Sequence, residues 1–299
     1  MTTAYPLSAS DERTLPPDFS GWVYVWDIDK TYLATAFSSM RGLLRVPLEF
    51  AVDKRAIPGM PEVLRGLRRG PGPEFLCAPL YFVSASPPQL RSVVAHKMLL
   101  DGVEYDGITF KDWLGTLLQL SPYRLREQVG FKLAALLHGR RRRRHAREVL
   151  VGDDVERDVE AFDLYARLLS GEVGAGQAED EMKRLRVRRA DRKFVRAALD
   201  EIPSPRGTVE RIYIHLERDT PPERFAPFGP RVRAVRGACQ LALSLYAEGR
   251  VDAECVRAAC RAVRASRHRH NDVPRLIEDA LARGLIAREA LAALELPNA

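Results

Sequence analysis

The chain has 299 residues, 46% of them hydrophobic and 29% charged. That is enough apolar material for one large domain or two small ones, and it excludes a largely disordered protein. A formal charge of +7 and a pI of about 9.4 favour acidic partners, among them phosphate esters, anionic lipid surfaces and nucleic acid, although an arginine-rich surface also serves simply for solvation.

The first twenty residues have neither a basic start nor an apolar run, so they do not read as a signal peptide. No stretch reaches the ~18 apolar residues of a membrane helix, and a soluble cytoplasmic protein is expected. Cys77, Cys239, Cys255 and Cys260 include no pair at CxxC spacing. All four read as small buried hydrophobes in a reducing compartment.

In chain order, the first strong element is Gly21 to Asp27. Its aromatic and β-branched residues suit a buried strand, with Trp22, Tyr24 and Trp26 in the core. It ends abruptly in Asp27-Ile-Asp29-Lys-Thr31. Residues 33–57 are expected to form a flap or helix over that end. A helix follows over Pro61 to Arg69, broken by Gly70-Pro-Gly-Pro73.

The second strand is Leu80 to Ser84, followed by a helix from about Gln89 to Leu100 and a short strand over Gly107 to Phe110. Tyr123 to His138 reads as a helix. Glu148 to Gly152 is the next strand and delivers Asp153 and Asp154. Residues 156–170 and the very charged 176–201 read as helical, and Arg211 to His215 as a strand. Strands alternating with helices predict an α/β fold with a doubly wound, Rossmann-like parallel sheet.

From about Pro230 the pattern is all helical. The segments beginning at Ala247 and Ala282 echo one another, each a helix ending near a glycine followed by a new helix. The expected organisation is an N-terminal extension over 1–20, an α/β domain over 21–218 with a helical insertion at about 172–206, and a C-terminal helical subdomain over 219–299.

The chemistry gathers where strands end. Asp27 and Asp29 stand two apart and would face one side if the extended backbone continued. One can attack a phosphorus atom while the other gives the leaving oxygen a proton. Thr31 completes a DxDxT pattern. Ser84 and Ser86 end the second strand, where a hydroxyl and a backbone N–H can hold a phosphoryl oxygen. Lys132 can offset phosphoryl charge as a point cation, and Lys111 is its rival. Lys132 is preferred because the strand ending at Asp153 directly follows its helix. The acids of Gly152-Asp153-Asp154-Val-Glu-Arg-Asp158 offer the oxygen ligands that magnesium favours.

The order DxD, Ser, Lys, GDxxxxD resembles the haloacid dehalogenase superfamily. Ala56-Ile-Pro-Gly-Met60, Tyr81-Phe-Val-Ser-Ala-Ser-Pro-Pro-Gln-Leu90 and Ile212-Tyr-Ile-His215 narrow the likeness to the catalytic domain of the actin-patch phosphatidate phosphatases, over residues 20–170 and 208–218. The resemblance implies a magnesium-dependent phosphomonoesterase with Asp27 as nucleophile and Asp29 as acid/base. It implies Ser84, with Ser86 and Thr31, at the phosphate and Lys132 offsetting its charge. The metal site would be Asp27, Asp29 and Asp153, completed by Asp154 or Asp158.

Three departures stand out. Lys30 replaces a third acid, the last motif lacks the family's GDSGxxDPE form, and the insertion at 172–206 is unfamiliar. The reactive positions are kept, so the reaction type carries over. The substrate stays open between phosphatidate or a related lipid phosphate and a soluble phosphomonoester, including a nucleic-acid end. A non-catalytic binding protein on the same fold is the rival of another class.

Arg140 to Arg144, with Arg147, form a basic run. The strand from 148 must travel about 17 Å, at ~3.3 Å per residue, to bring Asp153 to the site. The run therefore lies at the far turn, as a solvated loop or as an anionic docking surface remote from the chemistry.

Overall fold

The computed structural model describes residues 7–11, 13–34, 54–112, 128–202 and 207–296. The expected flap falls mostly outside these residues, as does the start of the helix predicted from Tyr123.

Seven strands form one sheet: β1 (Leu7–Asp11), β2 (Trp22–Asp27), β3 (Leu80–Ser84), β4 (Gly107–Lys111), β5 (Arg147–Asp153), β6 (Thr208–His215) and β7 (Val232–Val235). Their spatial order is β1-β4-β3-β2-β5-β6-β7. All neighbours are parallel except β1, which runs antiparallel along β4. From β2 the chain winds outward through β3 and β4, then returns to place β5 on the other side of β2. The reversal opens a crevice between the carboxyl ends of β2 and β5, the place where open α/β sheets bind ligands.

Side chains alternate between the two faces with the period of two that a strand imposes. Tyr24, Trp26, Phe82, Val149, Val151 and Tyr213 enter one apolar cluster, which also holds residues of α1 (Met60–Arg69), α7 (Ala238–Ala247), α8 (Ala253–Ala265) and α9 (Val273–Ala282). Val23, Val25, Tyr81, Val83, Leu150, Ile212 and Ile214 enter the other. There they meet α3 (Val129–Arg140), α4 (Asp158–Ser170), α5 (Ala175–Arg184) and α6 (Arg189–Asp200). Burial on both faces is why the central strands read as continuous apolar runs. The remaining α-helices are α2 (Arg91–Leu100), entered through a 3₁₀ turn at Pro88–Leu90, and the short α10 (Arg288–Ala292); a 3₁₀ helix, Pro222–Phe228, joins β6 to β7.

The residues after Pro230 are not wholly helical, because Val232–Val235 pairs with β6 as the seventh strand. Four residues are too few for a periodic signal to show. The predicted echo holds beyond it: α7 and α9 both end in a glycine at positive φ, Gly249 (66°) and Gly284 (65°). In each case the next N–H reaches back to the helix, Arg250 to the Leu245 carbonyl and Leu285 to that of Ala280, the pattern of a Schellman cap.

The cysteine expectation needs correction. Cys239 on α7 and Cys260 on α8 are disulfide-bonded, with Cα atoms 4.8 Å apart. Their sequence spacing held no sign of it, because the packing of two helices creates the proximity. Cys77 is half-buried, and only Cys255 is a buried free thiol. No helix among the described residues is long and apolar enough to cross a membrane.

Candidate active site

β2 and β5 place Asp27 and Asp153 at the two sides of the crevice, and α3 brings Lys132 across from below. All three are buried. Lys132 Nζ lies 2.9 Å from Asp27 Oδ1 and 3.4 Å from Glu156 Oε2, and it also contacts Asp158 Oδ1. Lys111, the rival, is also buried and lies over the Phe131 ring at 5.9 Å.

The turn after β5 shapes the rest. Asp153 Oδ1 accepts the backbone N–H groups of Val155 (2.5 Å) and Glu156 (2.9 Å), which curls the chain back on itself. Arg157 takes the left-handed conformation, φ 61°, to open α4. As a result Glu156 faces the site, and Asp27, Asp153 and Glu156 each present an oxygen within 4.8 Å of the others. Asp158 Oδ2 accepts the Asp153 N–H at 3.1 Å. Its side chain packs against Gly152 so closely that a Cβ there would lie 2.7 Å from the Asp158 Cβ, so the glycine makes room for the acid.

The other acids of the motif have different tasks. Asp154 accepts backbone N–H groups from Arg218 (2.9 Å) and Thr220 (3.2 Å), pinning the loop after β6. Asp29 Oδ2 accepts the hydroxyls of Ser84 (3.0 Å) and Ser86 (2.8 Å). Both serines thus join the end of β3 to the second aspartate; Thr31, two residues after Asp29, buries its hydroxyl with no hydrogen-bond partner among the described residues.

Electrostatically the site is an excess of buried carboxylate around one ammonium. Burial pushes Asp27 well above its ordinary pKa; Lys132 opposes this, while Asp158, Glu156 and Asp153 add to it. Asp153 is raised well above its ordinary value by burial and by Asp158. Glu156 and Asp158 are raised by burial against the pull of Lys132. For Lys132, burial alone would lower the pKa, but Asp158, Asp27 and Glu156 outweigh it and the net shift is strongly upward.

Asp27 Oδ2 and Asp153 Oδ2 are buried without a hydrogen-bond partner among the described residues. Two orphaned carboxylate oxygens and a third acid in reach suit a hard divalent cation. Of the residues expected at a metal, Asp27 and Asp153 come together here, while Asp29, Asp154 and Asp158 lie outside the group. Glu156 was not foreseen; it lies inside the quoted motif, but only the curl of the turn aims it inward.

The basic run is not uniformly solvated. Arg140 and Arg143 are buried and converge on buried Glu148, at 2.6 Å (Nη2) and 2.9 Å (Nε). Tyr165 donates to Glu148 at 2.8 Å and accepts from Arg140 Nε at 3.0 Å. The arginines are drawn inward because the second residue of β5, Glu148, is an acid that burial would otherwise leave unpaired. Arg142, Arg144 and Arg147 are exposed.

A mostly parallel sheet with buried acids and a lysine at its reversal point defines an α/β enzyme whose centre is built for a highly charged group. The sequence profile described as "Phosphatidate phosphatase APP1, catalytic domain" matches residues 22–175, just over half of the chain, and the chain belongs to that family. It is a phosphatase, a hydrolase of the phosphatidate phosphatase kind. No curated protein and no solved structure matches the chain.

Proposed function

We propose that the protein is a magnesium-dependent phosphomonoesterase of the haloacid dehalogenase type that works through a phosphorylated Asp27. The observation that carries this reading is the buried Asp27 carboxylate at the crevice, one oxygen held by Lys132 at 2.9 Å and the other free to react.

Asp27 attacks phosphorus, an Asp27–phosphoryl bond forms and the ester P–O bond breaks. The departing oxygen takes a proton from Asp29. Water, giving its proton back to Asp29, then attacks the phosphoryl group; phosphate leaves and Asp27 is restored. Lys132 offsets charge on the phosphoryl oxygens, and the Ser84 and Ser86 hydroxyls fix Asp29 and would offer donors to a phosphoryl oxygen. Magnesium held by Asp27, Asp153 and Glu156 would supply the positive charge that lets a carboxylate approach a dianion. In this ligand set Glu156 takes the place expected of Asp154 or Asp158.

The proposed substrate is phosphatidate or a related lipid phosphate, on the strength of the family's description. The test is hydrolysis of an aryl phosphate with and without magnesium by wild type and Asp27→Asn, followed by phosphatidate vesicles against soluble phosphomonoesters. Magnesium-dependent turnover lost in the variant supports the mechanism. Equal turnover in both removes Asp27 as nucleophile, and a wild type without turnover points to a binding protein on the phosphatase fold.

A further inference from the structure

One buried titratable side chain beside the site has no part in the chemistry above. His215 ends β6, in register with Asp153, and is fully buried. Its Nδ1 lies 2.9 Å from the carbonyl oxygen of Lys30. A carbonyl only accepts, so Nδ1 carries the proton and donates.

The partner is an unusual piece of backbone. Lys30 has φ 63°, the left-handed region that a side chain with a Cβ adopts only under strain. The inner hydrogen bonds of its turn are made locally: Lys30 N–H to the Leu33 carbonyl at 2.7 Å, and Tyr32 and Leu33 N–H to the Ile28 carbonyl at 3.0 and 2.9 Å. The Lys30 carbonyl is instead satisfied across a sequence separation of 185 residues, by the imidazole. Loss of that donor would leave a polar group stranded beside a strained residue, and both effects favour relaxation of the turn. Asp29 is the preceding residue, so relaxation would shift its carboxylate against Ser84, Ser86 and Asp27.

We propose that His215 is a positioning residue that holds the turn at Lys30, and through it Asp29, in the geometry that proton transfer requires. The proposal rests on the phosphatase reading of the site. A purely structural histidine would fill volume, and any side chain of similar size and polarity would then serve. A positioning histidine needs a donor at the place of Nδ1, which the amide of Asn supplies and that of Gln, reaching to the place of Nε2, does not.

The experiment compares aryl phosphate hydrolysis with magnesium by wild type, His215→Asn, His215→Gln and His215→Leu, with a thermal melt of each. The expected result is a fall in kcat of about 10- to 100-fold in His215→Leu and His215→Gln, the size typical of a small misplacement of a reacting group. KM stays within about twofold, because substrate binding is not what His215 supports. His215→Asn recovers most of kcat. If His215→Leu melts too early to assay, the Asn and Gln pair alone decides. The proposal is overturned if His215→Leu keeps wild-type kcat, if His215→Gln equals or exceeds His215→Asn, or if kcat merely follows melting temperature across the set. A wild type without turnover breaks the phosphatase reading and this proposal with it. A wild type with turnover matched by His215→Leu breaks this proposal alone.

Discussion

The two ends of β5 hold two buried charge clusters that are built on opposite terms. At the amino end, Glu148 meets two arginines and a tyrosine hydroxyl, and its carboxylate is fully engaged. At the carboxyl end, Asp153 faces Asp27, Glu156 and Asp158 around a single lysine, and one oxygen each of Asp153 and Asp27 finds no donor. The pKa shifts express the same contrast. Burial pushes Glu148 upward, but Arg140 and Arg143 outweigh it and the net shift is down, whereas Asp153 and Asp27 are driven up. A strand seven residues long thus carries a charge arrangement that stabilises the fold at one end and one that destabilises it at the other. Unrelieved charge at the second is what a site for a cation and a phosphoryl group requires, and its cost in stability is expected of such sites.

The largest expected effect is catalytic. Asp27→Asn should lower aryl phosphate turnover by about 10⁴-fold or more, as loss of a nucleophile does, measured as kcat/KM with magnesium, while thermal stability in chelator holds or rises. Next is Glu148→Gln, which leaves two guanidinium groups without their carboxylate. It should cost about 3–5 kcal/mol of stability, read by denaturant or thermal unfolding, with kcat per folded molecule unchanged at a permissive temperature.

That loss should depend on pH with a definite sign. A carboxyl whose folded pKa is depressed contributes stability above its unfolded value, about 4.3. The contribution disappears as pH falls through the folded value. The stability gap between wild type and Glu148→Gln should therefore narrow in acid, as unfolding curves between neutral pH and about pH 3 would show.

Magnesium at a hundredfold excess over its dissociation constant should stabilise wild type by about 2.7 kcal/mol; Asp153→Asn should lose most of this shift in a thermal melt. The smallest effect sharpens the contrast within the basic run. Arg144→Ala, at an exposed position, should change stability by less than about 0.5 kcal/mol, whereas Arg140→Ala should approach the cost of Glu148→Gln.

The carboxyl end of β5 was far easier to find in the sequence than the amino end. Asp27 and Asp153 stand where apolar runs stop, and a run buried on both faces followed by an acid is visible without a structure. Lys132 was placed by chain direction alone. Glu156 was hidden, because its inward aim depends on two N–H groups bonding to Asp153 and on the left-handed Arg157, neither of which leaves a periodic trace. Arg140 and Arg143 were hidden for the opposite reason. Five successive arginines look solvated, and their partners come from the next strand and from α4. The strand β1 escaped notice because Leu-Ser-Ala-Ser-Asp has little β-branched character and is ordered by pairing with β4. The short β7 and the disulfide between α7 and α8 likewise arise from tertiary neighbours.

The most direct test of the contrast is a thermal melt of Asp153→Asn and Glu148→Gln beside wild type, in chelator at neutral pH. Each variant removes one buried carboxylate charge from one end of the same strand. Opposite signs are expected: Asp153→Asn melts above wild type by a few degrees, and Glu148→Gln melts below it on the order of 10 °C. If both variants melt below wild type by similar amounts, the acids at the crevice are as well compensated as Glu148, and the site is not a charge-strained centre.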